Sequence, residues 1–421
     1  MLTRREFLGT APAALAQAKR PNVLLFMTDQ ESALLPGPAK LPNRERVNSR
    51  GVQFTSAFCN TPQCSAARSS LLTGLEPHRT GVVTNVDTGS LGKALSPKLP
   101  TVGHVFRDAG YRTGYFGKWH LGKEDGGLEE FGFSTHGRGR DRAVADAAAA
   151  WIGKQSEPWL AWVSILNPHD IYSFIREPEG VTPRAGVRPP ATGLSNLDGK
   201  PAEQRHYMDK DQGRPTLGYK PEDWVRYRSY YLGLMELADA CLGAVLGSIK
   251  DWDNTIVLYT ADHGDAQGEH GLPFKGPFMY EPLIHIPLVI SVPGLKPARR
   301  DDMAASIDVA PTLASLAGLR WPGAVTGRDL SRGSIDRDAV FLEYYSKQKW
   351  VNPIRTIRTR RWKLNWYDSG NQELYDLRED PNEARNLAAD PAALKTRREL
   401  EARLDAWRPA LIRGQATKSR N

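Results

Sequence analysis

Four short apolar runs, each followed by polar side chains, recur between residues 23 and 263 of the chain. Each run is of strand length, and nearly continuous apolarity is typical of strands that are covered on both faces. The runs cover residues 23–27, 111–116, 159–166 and 255–260. The polar groups that follow them are Asp29, Lys118, His120, Asn167, His169, Asp170, Asp262 and His263. Because the carboxyl ends of parallel strands meet at one edge of a sheet, we expect these groups to lie together.

Helical patterns lie between these runs and after the last of them, over residues 101–109, 141–152, 222–250 and 308–317. Three of the four stop at a glycine, the residue that most often follows the last turn of a helix. Strands that alternate with helices predict an α/β fold in which a mostly parallel central sheet is flanked by helices.

The pattern changes after about residue 330. Short strand signals follow at residues 341–345, 354–357, 362–366 and 373–377, and a helix is predicted over 391–407. This predicts a small C-terminal α+β domain with an antiparallel sheet. We therefore expect a large domain over residues 19–330, a small domain over 331–413 and a polar tail over 414–421. Residues 179–219 are rich in proline, glycine and charge, which predicts a long surface loop over the site.

The N-terminus carries a pattern typical of protein export. Thr3-Arg4-Arg5-Glu6-Phe7-Leu8 fits a twin-arginine signal, and an apolar stretch with small-residue cleavage candidates follows it. Residues 1–18 are therefore predicted to be a signal segment of a periplasmic or secreted protein, the alternative being a frayed basic terminus. No apolar run approaches the roughly 18 residues that a membrane span needs, so no span is expected.

Composition and charge narrow the function only slightly. The 421 residues are 40% hydrophobic and 25% charged, which is ordinary for a globular protein. The net charge of +8 would attract an anionic substrate, but the 56 basic residues are spread among 48 acidic ones without a basic run. A nucleic-acid partner is therefore not expected. The three cysteines, Cys59, Cys64 and Cys241, cannot form a disulfide framework, and at least one thiol is free.

The segment that contains Cys64 is the most informative. Residues 64–73 predict a helix that stops at Gly74, with Cys64 at its N-terminus. Free N–H groups and the helix dipole favour an anion at that position, and Arg68 lies one turn later on the same face. A thiol or its derivative at this position is therefore suited to react with a bound anion. A buried structural cysteine near a surface arginine is the alternative that this segment alone leaves open.

This segment resembles the signature of the type I sulfatases, a family of the alkaline-phosphatase-like superfamily. The resemblance rests on Cys64-Ser65-Ala66-Ala67-Arg68, followed by Leu71-Leu72-Thr73-Gly74. Further elements resemble the family in its own order along residues 20–390. They lie at residues 27–30, 117–122, 167–170, 261–265, 268–271, 275, 280–281, 373–377 and 380–381.

The resemblance implies a specific set of site residues. In that family a formylglycine-generating enzyme oxidises the cysteine to formylglycine, whose hydrate is the nucleophile. The implied ligands of a calcium ion, or another divalent metal, are Asp29, Gln30, Cys64, Asp262 and His263. The implied catalytic residues are Cys64, Arg68, Lys118, His120, His169 and Lys275. Arg68, Lys118 and Lys275 would offset charge on the sulfuryl oxygens; His169 or Lys275 would protonate the leaving alcohol, and His120 would drive release of sulfate.

Two departures and four alternatives remain at this point. Ala66 stands where the family usually has proline, and Gln30 where it usually has a second aspartate. His263 would also fit a role in orienting Asp262, and each strand-end polar residue, taken singly, would fit an ordinary loop. A phosphonate or phosphate ester hydrolase, or a non-catalytic binder of sulfated glycans with unmodified Cys64, are the alternatives to a sulfatase. The expected substrate is a small sulfate ester, most readily a sulfated sugar.

Overall fold

A computed structural model of the protein describes residues 20–407 apart from 87–90, 125–126, 157, 193–196 and 348–349. The predicted export signal over residues 1–18 and the predicted polar tail over 414–421 lie outside the described residues.

The larger of two sheets has eight strands and is mostly parallel. Its strands are β1 (Asn22–Asp29), β2 (Gly51–Phe58), β3 (Arg112–Gly117), β4 (Thr135–Gly137), β5 (Trp159–Pro168), β6 (Thr255–Ala261), β7 (Leu288–Ser291) and β8 (Ala298–Ala305). They lie in the order β4-β3-β5-β1-β6-β7-β2-β8, and among them β7 alone runs opposite to the others. The predicted α/β fold is confirmed.

Burial on both faces explains why the strand runs are continuously apolar. Along β1, Leu25 belongs to the hydrophobic core on one face of the sheet, whereas Leu24 and Phe26 belong to the core on the other. Successive side chains of a strand point to opposite faces, so both cores draw apolar residues from the same strand. Every residue of β1 and β6 is buried.

Helices cover both faces of this sheet. They are α1 (Pro42–Asn48), α2 (Cys64–Thr73), α3 (Pro77–Thr80), α4 (Val102–Asp108), α5 (Asp141–Ile152), α6 (Ala202–Lys210), α7 (Pro221–Gly247), α8 (Glu281–Ile284), α9 (Val309–Leu316) and, in the C-terminal part, α10 (Leu394–Trp407). Short 3-10 turns separate several of them. The long helix α7 packs against α5 and β5.

The C-terminal sheet is small and antiparallel, as predicted. Its strands are β9 (Ala339–Lys347), β10 (Trp350–Thr359), β11 (Trp362–Tyr367) and β12 (Gln372–Asp376), in the order β12-β11-β10-β9. Leu400 and Leu404 of α10 pack on Leu364 and Leu374 of this sheet. Strand β9 bonds to the segment that follows β2 of the large sheet, where the Asn60 carbonyl accepts from the Glu343 amide at 2.9 Å.

Two expectations about the chain need correction. The segment 179–219 is not a continuous loop, because α6 lies within it and buries Tyr207 and Met208 in the main core. Strands β2, β4, β7 and β8 were not predicted, and β8 shows why: Arg299 and Asp301 on this edge strand are exposed, so its sequence lacks an apolar run.

One described helix has the length and composition of a membrane span. It is α7, with 27 residues and a most apolar window of mean hydropathy 1.2, of which 56% is buried inside the protein. Its Leu242 and Val245 belong to the core beside the large sheet. The core helix of a globular domain gives the same signal, and the expected lack of a membrane span stays a prediction.

Candidate active site

The predicted polar groups do meet at one edge of the large sheet. Asp29 ends β1, and Asp262 follows β6, the neighbouring strand. The Asp262 amide donates to the Thr28 carbonyl at 3.3 Å, so the two carboxylates lie side by side. Strands β3 and β5 lie on the other side of β1 and bring Lys118 and His169 to the same edge.

Gly117 allows β3 to deliver Lys118 and His120. Its φ is 100°, and a Cβ at this position would lie 2.0 Å from the Ser164 carbonyl oxygen of β5. A residue with a side chain would have to move the strand end away from β5. His120 also has a positive φ, of 57°. The backbone after β3 therefore turns sharply into the site.

Helix α2 has the predicted bounds and begins with Cys64. Gly74 ends it in the left-handed conformation, with φ 70°, as expected for the residue after a helix. All ten helix residues are buried, which locks the orientation of the first turn. Cys64 is thus held rigidly at the sheet edge.

Cys64 Sγ lies at the centre of a group of charged side chains. Lys275 Nζ donates to it at 2.9 Å and Lys118 Nζ at 3.5 Å. His263 Nε2 lies 3.3 Å from the sulfur, and Asp29 Oδ1 lies 3.7 Å from it. The predicted catalytic cysteine, lysines and metal ligands therefore share one site.

The surrounding cations make this thiol acidic. Burial raises the pKa of Cys64, but Lys118, Lys275 and His263 outweigh burial and hold the pKa well below its usual range. Burial and the nearby Cys64 also raise the pKa of Asp29, and the same lysines reverse that effect, so its carboxyl stays ionised. By contrast, burial raises the pKa of the Cys59 thiol. Of these two thiols, Cys64 is the one that is placed to react with a bound anion.

Arg68 holds the two strand-end carboxylates together. Its guanidinium donates to Asp29 Oδ2 at 2.8 Å and to Asp262 Oδ2 at 3.0 Å, and also to Ser164 Oγ at 2.7 Å. The side chain is fully buried and does not line the cavity at Cys64. These contacts favour a positioning role for Arg68 over the predicted direct contact with sulfuryl oxygens.

Gln30 presents its amide oxygen to the site because Asp265 holds its amide nitrogen. Gln30 Nε2 donates to Asp265 Oδ2 at 2.7 Å, and Gln30 Oε1 accepts from Lys275 Nζ at 2.9 Å. Tyr227 in turn donates to Asp265 at 2.9 Å. The sequence analysis did not assign Asp265 a role. The signal that could have identified it is its position three residues after Asp262, where its carboxylate could accept a hydrogen bond from the amide of Gln30.

The donor set suits a divalent cation. Ligand atoms of Asp29, Cys64, Asp262 and His263 all lie within 4.8 Å of one another, and all four residues are buried. Two carboxylates and the Gln30 amide oxygen are the donors that hard cations prefer. His263 Nδ1 lies 2.9 Å from the Gly264 carbonyl, a hydrogen bond that directs Nε2 towards Cys64, where it would lose its proton to bind a metal ion. That geometry favours His263 as a ligand over a purely orienting role.

A cavity of about 590 Å³ opens onto Cys64. Of the predicted catalytic residues, those that line it are Cys64, Lys118, His120, His169 and Lys275. Further lining residues that the sequence did not single out include Asn85, Tyr172, Gln212, Tyr344 and Lys347. Gln212 lies in the segment predicted to cover the site, so part of that segment does border the cavity. No local pattern marks Lys347, which comes from the C-terminal sheet.

His270 lies outside this cavity and has a structural role. Its ring stacks on Tyr280 at 4.1 Å, and burial together with repulsion from Lys200 and Lys363 lowers its pKa to about 2. The unfolded chain, with an ordinary histidine pKa near 6.5, binds this proton more readily than the folded protein does. The protein should therefore lose stability as the pH falls below about 6.5.

Replacing His270 with asparagine, which also tolerates the positive φ found here, should remove that loss. Between pH 7.5 and pH 5 the free energy of unfolding should fall about 2 kcal/mol less in His270→Asn than in the parent. Urea denaturation at both pH values measures this difference, and the variant at pH 7.5 reports the packing cost separately. Equal losses in the two proteins would contradict the buried neutral histidine.

Comparison with known proteins agrees with this geometry. The Sulfatase family matches residues 21–319, and the C-terminal region of N-sulphoglucosamine sulphohydrolase matches residues 268–410. A curated relative, Delta 4,5-hexuronate-2-O-sulfatase of Bacteroides thetaiotaomicron, is 28% identical, with 95% of this chain and 91% of that protein covered.

Solved structures show the same architecture. A 2-O GAG sulfatase has a TM-score of 0.83 and 25% identity, with 96% of this chain and 94% of that chain covered. The phosphonate monoester hydrolase of Agrobacterium radiobacter has a TM-score of 0.77 at 24% identity, with 92% and 95% covered, which is a likeness of fold alone. Because the family match spans well over half of the sequence, the chain belongs to the sulfatase family and is a hydrolase of sulfuric esters.

Proposed function

We propose that this protein cleaves sulfate esters of sugars through a formylglycine made from Cys64, with a divalent metal bound beside it. The observation that carries the proposal is the position of Cys64, whose sulfur accepts hydrogen bonds from Lys275 and Lys118 at the floor of an open cavity. A sulfate group that enters the cavity meets both ammonium groups next to the nucleophile. Preorganised charge of this kind is usually the largest contribution to catalysis on an anionic ester.

Support for a sugar substrate comes from the relatives and the cavity. The curated relative is named for a hexuronate sulfate, and the similar solved structure for a sulfated glycosaminoglycan. The cavity, of about 590 Å³, lies within the usual range of small-molecule sites. Polar and aromatic side chains line it, among them Asn85, Gln212 and Tyr172, and these suit hydroxyl groups and a sugar ring.

The residues that would hold the metal are Asp29, Gln30, Asp262 and His263, together with an oxygen of the modified Cys64. We propose calcium, because the unmodified side chains supply three oxygen donors and hard cations prefer oxygen. When bound, the ion supplies positive charge beside the nucleophile and the sulfuryl oxygens. Arg68 keeps the two carboxylates together, and Asp265 keeps the Gln30 oxygen directed to the site.

Proton transfer is assigned to side chains around the cavity. Burial lowers the pKa of His169, and the two lysines lower it further, which favours its neutral form near pH 7. Burial also lowers the pKa of Lys275, but the ionised thiol of unmodified Cys64, together with Asp29, outweighs burial and raises it overall. When Cys64 is modified, Asp29 Oδ1 still lies 3.9 Å from Lys275 Nζ and favours its charged form. Lys275 Nζ is therefore the better supported proton donor to the leaving alcohol. His120, which hydrogen-bonds Cys64, is placed to take the proton whose removal releases sulfate.

Two measurements test this function. Mass spectrometry of the peptide that contains Cys64, from protein made in its native host, should find formylglycine in place of the thiol; an unmodified thiol there overturns the proposal. The second measurement compares kcat/KM for an aryl sulfate, an aryl phosphonate and a phosphodiester. The sulfate should be the best substrate, and a sulfate that ranks last overturns the sulfatase assignment.

Removal of metal should abolish turnover of the aryl sulfate. Asp29 and Asp262 carry buried negative charge at the nucleophile, and the ion offsets it there. Exhaustive chelation is expected to lower kcat by at least about 100-fold, and calcium should restore activity and raise Tm by mass action. Asp29→Asn should weaken calcium binding, whereas Asp146→Asn, an exposed carboxylate on α5, serves as the matched control. Full activity of metal-free protein would contradict the prediction.

A further inference from the structure

Lys347 contributes a third ammonium group to the wall of the cavity that contains Cys64. It is the last residue of β9 and only 8% exposed. Its Nζ donates to Gln212 Oε1 at 2.8 Å and to the Lys275 carbonyl at 2.6 Å. The same nitrogen lies 4.5 Å from the centre of the Tyr207 ring. The ammonium is thus fixed in place by neutral groups.

No carboxylate among the described residues forms an ion pair with Lys347, and this sets it apart from the half-buried Lys118 and the buried Lys363. Lys118 pairs with Asp29 at 2.6 Å, and Lys363 pairs with Glu281 and Glu383. Burial lowers the pKa of Lys347 to about 7, although Asp211 acts against that shift. An ammonium group that is buried without a counter-charge is costly to the fold, and such groups are commonly found at functional sites.

The position of Lys347 separates it from the reacting sulfate. Lys275 contacts Cys64 through its Nζ but contacts Lys347 through its backbone carbonyl. The cations in contact with Cys64 are thus Lys118 and Lys275, whereas Lys347 lies on the same cavity wall and contacts the backbone of Lys275. An anion that reached Lys347 would be a different substituent of the molecule whose sulfate reaches Cys64.

We propose that Lys347 and Gln212 form a subsite for a second anionic group, a carboxylate or another sulfate, on the sugar that carries the cleaved ester. The proposal rests on the sulfatase function proposed above. The bound anion supplies the counter-charge that the Lys347 ammonium lacks, and the amide of Gln212 supplies a further donor beside it. A neutral hydroxyl would leave the charge of Lys347 uncompensated, so the subsite selects for substrates with two anionic groups.

Two matched pairs of sulfated glycosides test this selectivity. One pair is a glucuronide and a glucoside with the ester on the same hydroxyl; the other is N-sulfated and N-acetylated glucosamine with the same O-sulfate. For each pair, kcat/KM of the substrate with two anionic groups is divided by kcat/KM of the substrate with one. This ratio is compared between the parent and Lys347→Met. The ratio should fall about 10- to 100-fold in the pair whose second anion the subsite binds. The pair that responds identifies carboxylate or sulfate as that anion.

The control is Lys200→Met. Lys200 also donates to a backbone carbonyl and lies over an aromatic ring, but outside the cavity at Cys64. Its replacement should leave both ratios within twofold of the parent. Ratios that stay unchanged in both pairs for Lys347→Met, or that fall equally in the control, overturn the subsite.

Binding measurements separate this inference from the proposed function. Calorimetric titration of the four glycosides into Cys64→Ala protein, with and without Lys347→Met, reads the subsite without turnover. If the parent hydrolyses none of the esters, that result counts against the proposed function only. The binding ratios still decide whether Lys347 selects the second anion. Equal affinities for both members of each pair overturn the subsite even where hydrolysis is fast.

Discussion

Replacing Cys64 with alanine is expected to lower kcat for a sulfate ester by a factor on the order of 10⁴ or more, as for the loss of other enzymatic nucleophiles. The substitution removes the atom that receives hydrogen bonds from Lys275 and Lys118 and that gives rise to the proposed formylglycine. The other four metal ligands and the lysines remain, so binding of the substrate should change far less than kcat. Steady-state kinetics with an aryl sulfate measures both parameters.

Cys241→Ala is the matched control for that prediction. Its thiol is also buried, but it lies on α7 in the core beside the large sheet, outside the cavity. Burial raises the pKa of this thiol to about 11, in contrast to Cys64. The control should keep kcat within about twofold of the parent. Activity of Cys64→Ala within tenfold of the parent would mean that another group is the nucleophile.

Replacing Arg68 with methionine is expected to lower the free energy of unfolding by about 3–5 kcal/mol, the usual effect of removing one partner of a buried ion pair. Arg68 bridges Asp29 and Asp262, and all three side chains are buried. Without the guanidinium, two adjacent carboxylates repel each other in a region that water does not reach. Urea denaturation of metal-free protein measures the change, since bound metal would offset part of the repulsion.

Arg142→Met provides the comparison for an exposed pair. Arg142 and Asp146 lie 3.0 Å apart on α5, with side chains 74% and 55% exposed. Solvent screens such a pair, so the free energy of unfolding should change by no more than about 0.5 kcal/mol. If Arg68→Met is as stable as Arg142→Met, then Arg68 does not hold the carboxylates together. The role predicted from the sequence, in which Arg68 contacts the sulfuryl oxygens, would then be favoured.

Several elements were predictable because their signals are local. The bounds of α2 and α5 follow from a periodic pattern that ends at a glycine. Strands β1 and β6 follow from continuous apolar runs, since the side chains of a central strand are buried on both faces. Edge strand β8 and helix α6 were missed because their polar residues carry no such run, and contacts with distant segments stabilise them instead.

By itself, the sequence predicted that Asp29, Lys118 and Asp262 would share one site, because parallel strands place their carboxyl ends at one edge. Cys64 was added to them by the resemblance of its segment to the sulfatase signature. Only the tertiary structure decided how the side chains there are directed. Arg68 bonds to carboxylates on two strands, and Gln30 is oriented by Asp265.

The wall of the cavity depended on the tertiary structure most of all. Lys347 reaches it because β9 bonds to the segment that leads into α2, where Asn60 accepts from the Glu343 amide and Gln63 donates to the Ser346 carbonyl. These two segments are far apart in the chain. Local patterns encode strands and helix ends, since those depend on neighbouring residues. The charge that surrounds a substrate depends instead on which segments, distant in the sequence, pack against each other. The physical reason is that electrostatic interactions depend on distance in space, which packing sets and chain order does not.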